Sequence, residues 1–303
     1  MRFTRIWLVG IVQGLMNELR HITDKYQPDF IGEGLASLEG LNRFSYVFYS
    51  DVAEIYDCLT RVKNVERNPS GFTLDDAPIL GLLVRIVKLM KELREYYGRD
   101  NAEIISILER PLIEASVIAT YLLRHGPEIM LDYRKCSYKD RLRILRDFDA
   151  GSLFANTKPG QRLLKSVYEK LDAEGFTKDD FAEQKKNRWR LQGKTFYDIF
   201  DEIEHKNLYA STYGMMSESI HGSWNESLDW CLTKKPDGTY NPNLFSYPAD
   251  VRFMALTVKF ANPPFRLWLN QIDALDDSMR GVLDWIENVN TTLFFRFDAL
   301  FGE

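Results

Sequence analysis

Apolar residues recur at three- and four-residue spacing along most of the chain, and no stretch sustains the strict alternation of a half-buried strand. The clearest helical segments are roughly 3–26, 41–64, 75–98, 102–124, 127–148, 159–173, 178–190, 195–222, 248–261 and 264–300, the last with at least one break. This pattern predicts an all-α, multi-helix bundle. Several boundaries have chemical causes. Thr73 or Asp75 is placed to cap the third segment, which Gly98 would end in a left-handed turn. Gly126-Pro127 separates the fourth and fifth segments, and Pro127 suits a first helical turn. Residues 236–248 are dense in turn-forming types and predict one long loop or a short hairpin.

At 303 residues the chain is near the upper limit for one core, so a single α-helical domain and two lobes are both open. The most linker-like stretch, and hence the expected lobe boundary, is 150–160. A hydrophobic fraction of 45% excludes a disordered chain. A net charge of -5 argues against a molecule that binds polyanions over its whole surface. Cys58, Cys136 and Cys231 are far apart and match no metal spacing, so they read as reduced thiols of a cytoplasmic protein. The apolar run from Trp7 to Val12 is shorter than the roughly 20 residues of a membrane span and lacks a signal-peptide cleavage site. No membrane partner is expected. The last segment carries Trp285, Ile286, Leu293, Phe294, Phe295, Phe297, Leu300 and Phe301; they need cover, from the bundle first and from a homodimer interface second.

The most informative polar pattern is Tyr213, Ser217 and His221, spaced four and four ahead of Gly222. On an α-helix these groups share one stripe. A second stripe holds Arg110 and Glu114, with Tyr121 further along the same face. Pro111 removes a backbone donor and disfavours helix at Arg110, so a kink or restart is expected there. Two basic segments accompany the stripes. Residues 134–146 hold Arg134, Lys135, Lys139, Arg141, Arg143 and Arg146 against Asp140, and 185–194 hold Lys185, Lys186, Arg188, Arg190 and Lys194 with no acid. Tyr133, Tyr138 and Trp189 are interleaved with them, as a stacking surface for RNA or another nucleic acid would require. A solvated basic face is the simpler reading.

Three motifs in order carry a resemblance: Arg110-Pro-Leu-Ile-Glu114 with its aliphatic run, Trp189 leading to Gly193-Lys-Thr-Phe196, and Tyr213, Ser217 and His221-Gly222. Over about residues 100–230 the chain resembles the bacterial helical proteins grouped as a domain of unknown function, number 5677. The resemblance implies no activity. It implies that Arg110, Glu114, Tyr213, Ser217 and His221 belong to one site. Ser217-Glu-Ser-Ile-His221 also resembles the polar-to-histidine part of the HEPN ribonucleases, helical toxins and defence proteins, but Met216 stands where their arginine would be. Arg110 would have to supply that cation from another helix.

A coherent chemistry follows for metal-independent RNA cleavage, in a protein of the toxin or phage-defence kind. His221 would be acid/base and Arg110 the bidentate phosphate clamp, with Glu114 orienting Arg110 and Tyr213 and Ser217 as hydrogen-bonding partners. The rival is a non-catalytic helical interaction module in which Arg110–Glu114 is an ordinary ion pair and His221 a core histidine. A third reading rests on Glu18/His21, Glu202/His205 and Glu218/His221, the Glu-x-x-His pattern of dinuclear metal bundles. On one helix His205 and His221 would lie about 24 Å apart, too far to share a metal. No cofactor is expected.

Overall fold

Pro28 opens a short helix, α1 (Pro28–Gly34), and Ser37 starts the first long one by accepting the Gly40 amide at 3.1 Å, a side-chain cap for α2 (Leu38–Arg61). The computed structural model describes residues 19, 21–22, 24–181, 189–204 and 208–301, the side chains of 139, 140 and 178 excepted; most of the expected 3–26 helix therefore lies outside the described residues. The chain then forms α3 (Ala77–Tyr97), α4 (Ala102–His125), α5 (Pro127–Cys136), α6 (Lys139–Asp149), α7 (Lys158–Ala173) and α8 (Phe196–Ile203). Irregular turns lead to a hairpin of β1 (Leu232–Lys234) and β2 (Tyr240–Pro242), followed by α9 (Val251–Gln271) and α10 (Asp277–Phe301). The hairpin pairs Thr233 with Asn241 in antiparallel register and turns at Gly238, whose φ of 85° suits glycine. The architecture is all-α with this one small sheet. No helix among the described residues is long and apolar enough to cross a membrane.

The chain divides into two compact units. One comprises Met1–Arg124 with Phe200–Glu303, the other His125–Ile199. Residues 150–160, expected as a lobe boundary, lie inside the second unit, where they turn the chain from α6 into α7.

In the first unit α2, α3, α9 and α10 pack on one another. Leu41, Phe44, Phe48, Val52, Ile55 and Leu59 form the apolar stripe of α2 and are fully buried or nearly so. Tyr56 stacks on Phe265 at 4.4 Å between ring centroids, and Trp285 meets Tyr26 and Phe48 edge to face at 4.9 and 5.5 Å. Two buried asparagines tie the layers. Asn290 accepts the Tyr49 hydroxyl at 3.2 Å and donates to the Ala255 carbonyl at 3.0 Å. Asn262 accepts the Tyr56 hydroxyl at 3.2 Å and donates to the Leu283 carbonyl at 3.1 Å.

Three local expectations are corrected. The break expected between 261 and 264 is absent, since α9 runs through Pro263-Pro264; the break expected within 264–300 falls at 272–276. Interior prolines cost about 3 kcal/mol each. Phe260, Phe265, Trp268 and Leu269 flank them and are buried, and burial contributes about 1.5–3 kcal/mol per large apolar side chain, enough to hold the helix together. Gly98 is right-handed, with φ -67°; a Cβ there would lie 2.7 Å from the ring of exposed Tyr46, which would have to shift, and the left-handed residue is Asp100. The residue at the start of α3 is Asp76, not Thr73 or Asp75, and it makes no cap. Its buried carboxylate instead accepts from Arg67 at 2.9 Å, Asn68 at 3.2 Å and Gln271 at 3.4 Å.

In the second unit α6 and α7 close over a small core of Tyr138, Leu142, Leu145, Val167, Leu171, Phe176 and Phe181. Thr157 caps α7 by accepting the Gly160 amide at 3.1 Å.

Candidate functional site

Helix α4 carries Arg110 and Glu114 and continues through Pro111, so of the expected kink or restart the restart does not occur. Ile105, Leu112, Ile113 and Leu122 are all fully buried, so packing on both sides of the proline holds the helix through the missing hydrogen bond. The helix expected over 195–222 is likewise different. It is divided into α8, a π-turn at Ala210–Gly214 and a 3-10 turn at Glu218–Ile220. A π-turn and a 3-10 turn each break the 3.6-residue period, so Tyr213, Ser217 and His221 do not form one stripe. Tyr213 is buried, Ser217 is half-buried, and His221 is exposed at the end of the 3-10 turn, followed by Gly222 in the left-handed region with φ 59°.

The structure brings Arg110, Glu114 and Tyr213 together. The Tyr213 hydroxyl donates to Glu114 Oε2 at 2.9 Å, and the Arg110 guanidinium lies over the Tyr213 ring, 4.9 Å from its centroid. Tyr209 and Phe200 complete the aromatic surround at 5.5 and 6.4 Å. Arg110 and Glu114 are therefore not the simple ion pair expected from their spacing; the phenol stands between their roles. Burial, and then the Glu114 charge, raise the Tyr213 pKa, against the opposing pull of Arg110. At neutral pH this phenol stays protonated and serves as a donor, not as a base. Nε and Nη1 of Arg110 are buried and have no acceptor among the described residues. Unmatched buried donors of this kind are uncommon, and a planar guanidinium edge suits the paired oxygens of a phosphate or carboxylate.

Ser217 joins only through the backbone: its hydroxyl donates to the Tyr213 carbonyl at 3.0 Å. Among the described residues the His221 ring has no hydrogen-bond partner, and the exposed imidazole is not the expected core histidine.

The basic residues expected to meet nucleic acid have other employment where they are described. Arg134 pairs with Glu174, Nε to Oε2 at 2.6 Å, and lies over the Phe176 ring at 5.3 Å. Lys135 reaches the same ring at 5.8 Å and Asp180 at 4.0 Å, and Arg141 lies over Tyr138 at 5.1 Å. These contacts hold the second unit together. Trp189 is half-buried, and exposed Arg190 donates to the Gly193 carbonyl at 3.2 Å. Lys185, Lys186 and Arg188, with the side chain of Lys139, lie outside the described residues.

Among the described residues no group of three or more histidine, cysteine or carboxylate side chains could hold a metal ion. Glu18 and His205, needed by the Glu-x-x-His reading, lie outside them.

One residue escaped the sequence reading. Glu109, next to Arg110, is only 3% exposed, and among the described residues its hydrogen-bond partner is the Thr257 hydroxyl, which donates to Oε1 at 3.4 Å. Burial above all raises its pKa well above the ordinary carboxylate range, with the Asp250 charge adding to the rise and Thr257 opposing it. The signal was available: Glu109 lies four residues after Ile105 and four before Ile113, on the buried stripe of α4.

Fold and site together define a predominantly helical protein with a partly buried Arg–Tyr–Glu cluster. The chain belongs to the family of unknown function DUF5677, which it matches over residues 76–238, more than half its length. The match includes Arg110, Glu114, Tyr213, Ser217 and His221 and stops short of α9 and α10. No curated protein and no solved structure matches the chain significantly.

Proposed function

We propose that this protein recognises a phosphate-bearing ligand through Arg110, and that the ligand is RNA handled without a metal in the cytoplasm, as in toxin or phage-defence systems of the HEPN kind. The observation that carries the reading is the pair of buried Arg110 nitrogens without an acceptor among the described residues. The stacked Tyr213 ring and its Glu114 anchor fix the plane of the guanidinium, so a phosphate would meet an oriented donor edge. His221, exposed in the segment that follows Tyr213, is the acid/base group of the catalytic form of this reading.

A second reading is a non-catalytic interaction module in which the cluster only fixes packing. The depth of Tyr213, at 5% exposure, favours it. Fluorescence anisotropy with short labelled RNAs, followed by cleavage assays, separates the two. Arg110→Gln is expected to weaken RNA binding by at least about tenfold, equivalent to about 1.4 kcal/mol. His221→Ala is expected to keep binding and lose cleavage. RNA binding that is absent, or unchanged in folded Arg110→Gln, would leave the packing reading in place.

A further inference from the structure

A cleft of about 390 Å³ lies between α9 and α10 near the C-terminal end of α4, away from the Arg–Tyr–Glu cluster in its lining residues and mostly outside the region shared with the family. We propose that it binds a small organic anion, an apolar body bearing a carboxylate or a phosphate, and that Arg124 receives the anionic group.

The size falls in the lower part of the range of small-molecule sites, about 300–1,000 Å³. Val258, Pro263 and Leu267 supply an apolar wall. Three cations face the space, and they are not equivalent. Lys259 is held by Glu204 at 3.3 Å, and Arg266 by Asp284 at 2.6 Å and Glu287 at 3.7 Å. Those pairs neutralise and orient their cations. Arg124 is exposed and forms no ion pair among the described residues, so its charge is uncommitted.

The floor adds polar direction. Asn262 and Asn290 line the cleft, and each spends one amide hydrogen on a backbone carbonyl and its oxygen on a tyrosine hydroxyl. A primary amide has two N–H donors, so each retains one. Two hydrogen bonds already hold each side chain, so little further side-chain freedom is lost where a ligand takes the remaining N–H. An uncommitted cation at the edge, donors in the floor and an apolar wall together fit an anion with an apolar body. A bare inorganic ion would leave the wall unused, and a neutral apolar ligand would leave Arg124 unused.

Isothermal titration of the full chain tests this with three probes: phenyl phosphate, inorganic phosphate and phenol. Phenyl phosphate is expected to bind saturably at 1:1 stoichiometry, at least about tenfold more tightly than either fragment. Arg124→Gln, a change at an exposed position, should weaken it by about tenfold or more with an unchanged melting temperature. Thr291→Trp, at another exposed lining position, should abolish binding by filling the space. Arg110→Gln should leave phenyl phosphate binding unaltered, which separates this cleft from the cluster described above. No saturation at millimolar probe would overturn the proposal, as would binding retained in both cleft variants or lost in Arg110→Gln.

Discussion

Glu109 gives the most direct test of the electrostatics of α4. Its carboxyl is buried to 3% exposure, and a single long hydrogen bond from Thr257, at 3.4 Å, offsets little of the cost of charging it. The folded state therefore holds the proton above 4.5, the ordinary glutamic value, whereas the unfolded chain releases it there. The sign follows from linkage: the native state binds more protons, so stability is greatest below pH about 4.5 and falls as pH rises, until the folded-state pKa is passed. The slope for one proton is about 1.4 kcal/mol per pH unit. Glu109→Gln keeps the shape of the neutral acid and removes the titration. Relative to wild type, the variant should gain about 1.4 kcal/mol of stability for each pH unit between the unfolded and the folded-state pKa, and nothing further beyond the latter. Urea denaturation of both proteins from about pH 5 to pH 8, followed by the fluorescence of buried Trp268 and half-buried Trp285, measures this difference while every other titration cancels. Parallel stability curves, with a gap that does not change with pH, would refute the assignment of a protonated Glu109.

Two further substitutions probe polar contacts that stabilise the first unit. Tyr213→Phe removes the donor to Glu114 Oε2 while keeping the ring under Arg110; because Glu114 is half-buried, the expected loss is about 1–2 kcal/mol in denaturant midpoint analysis. No loss would mean that the phenol–carboxylate contact contributes nothing to folding. Asp76→Ala strips the buried acceptor of Arg67, Asn68 and Gln271 and should cost about 3 kcal/mol, the low end for a broken buried pair because Arg67 keeps partial access to water. A change below about 1 kcal/mol would place those donors in adequate alternative bonds.

The long helices were legible because their signal is local. Leu41, Phe44, Phe48 and Val52, or Ile105, Glu109, Leu112 and Ile113, return to one face by backbone geometry alone. The hairpin was legible from turn chemistry around Asp237-Gly238. The site was legible only in part. Arg110, Glu114 and Tyr213 were named together and do meet, yet the regular stripe from Tyr213 to His221 does not exist. Local spacing assumes an α-helix throughout, and the π- and 3-10 turns that change it leave no distinct mark in residue type.

Periodicity and turn residues thus specified most of the helical segments, because those preferences act within a few residues of chain. Other outcomes came from which faces meet. The continuity of α9 through Pro263-Pro264 depends on burial of Phe265 and Trp268, and the enlistment of Arg134 and Lys135 depends on Phe176, some forty residues further along the chain. Each is a balance between a local cost and the burial or pairing supplied by a distant partner. Only the packed chain brings that partner within reach.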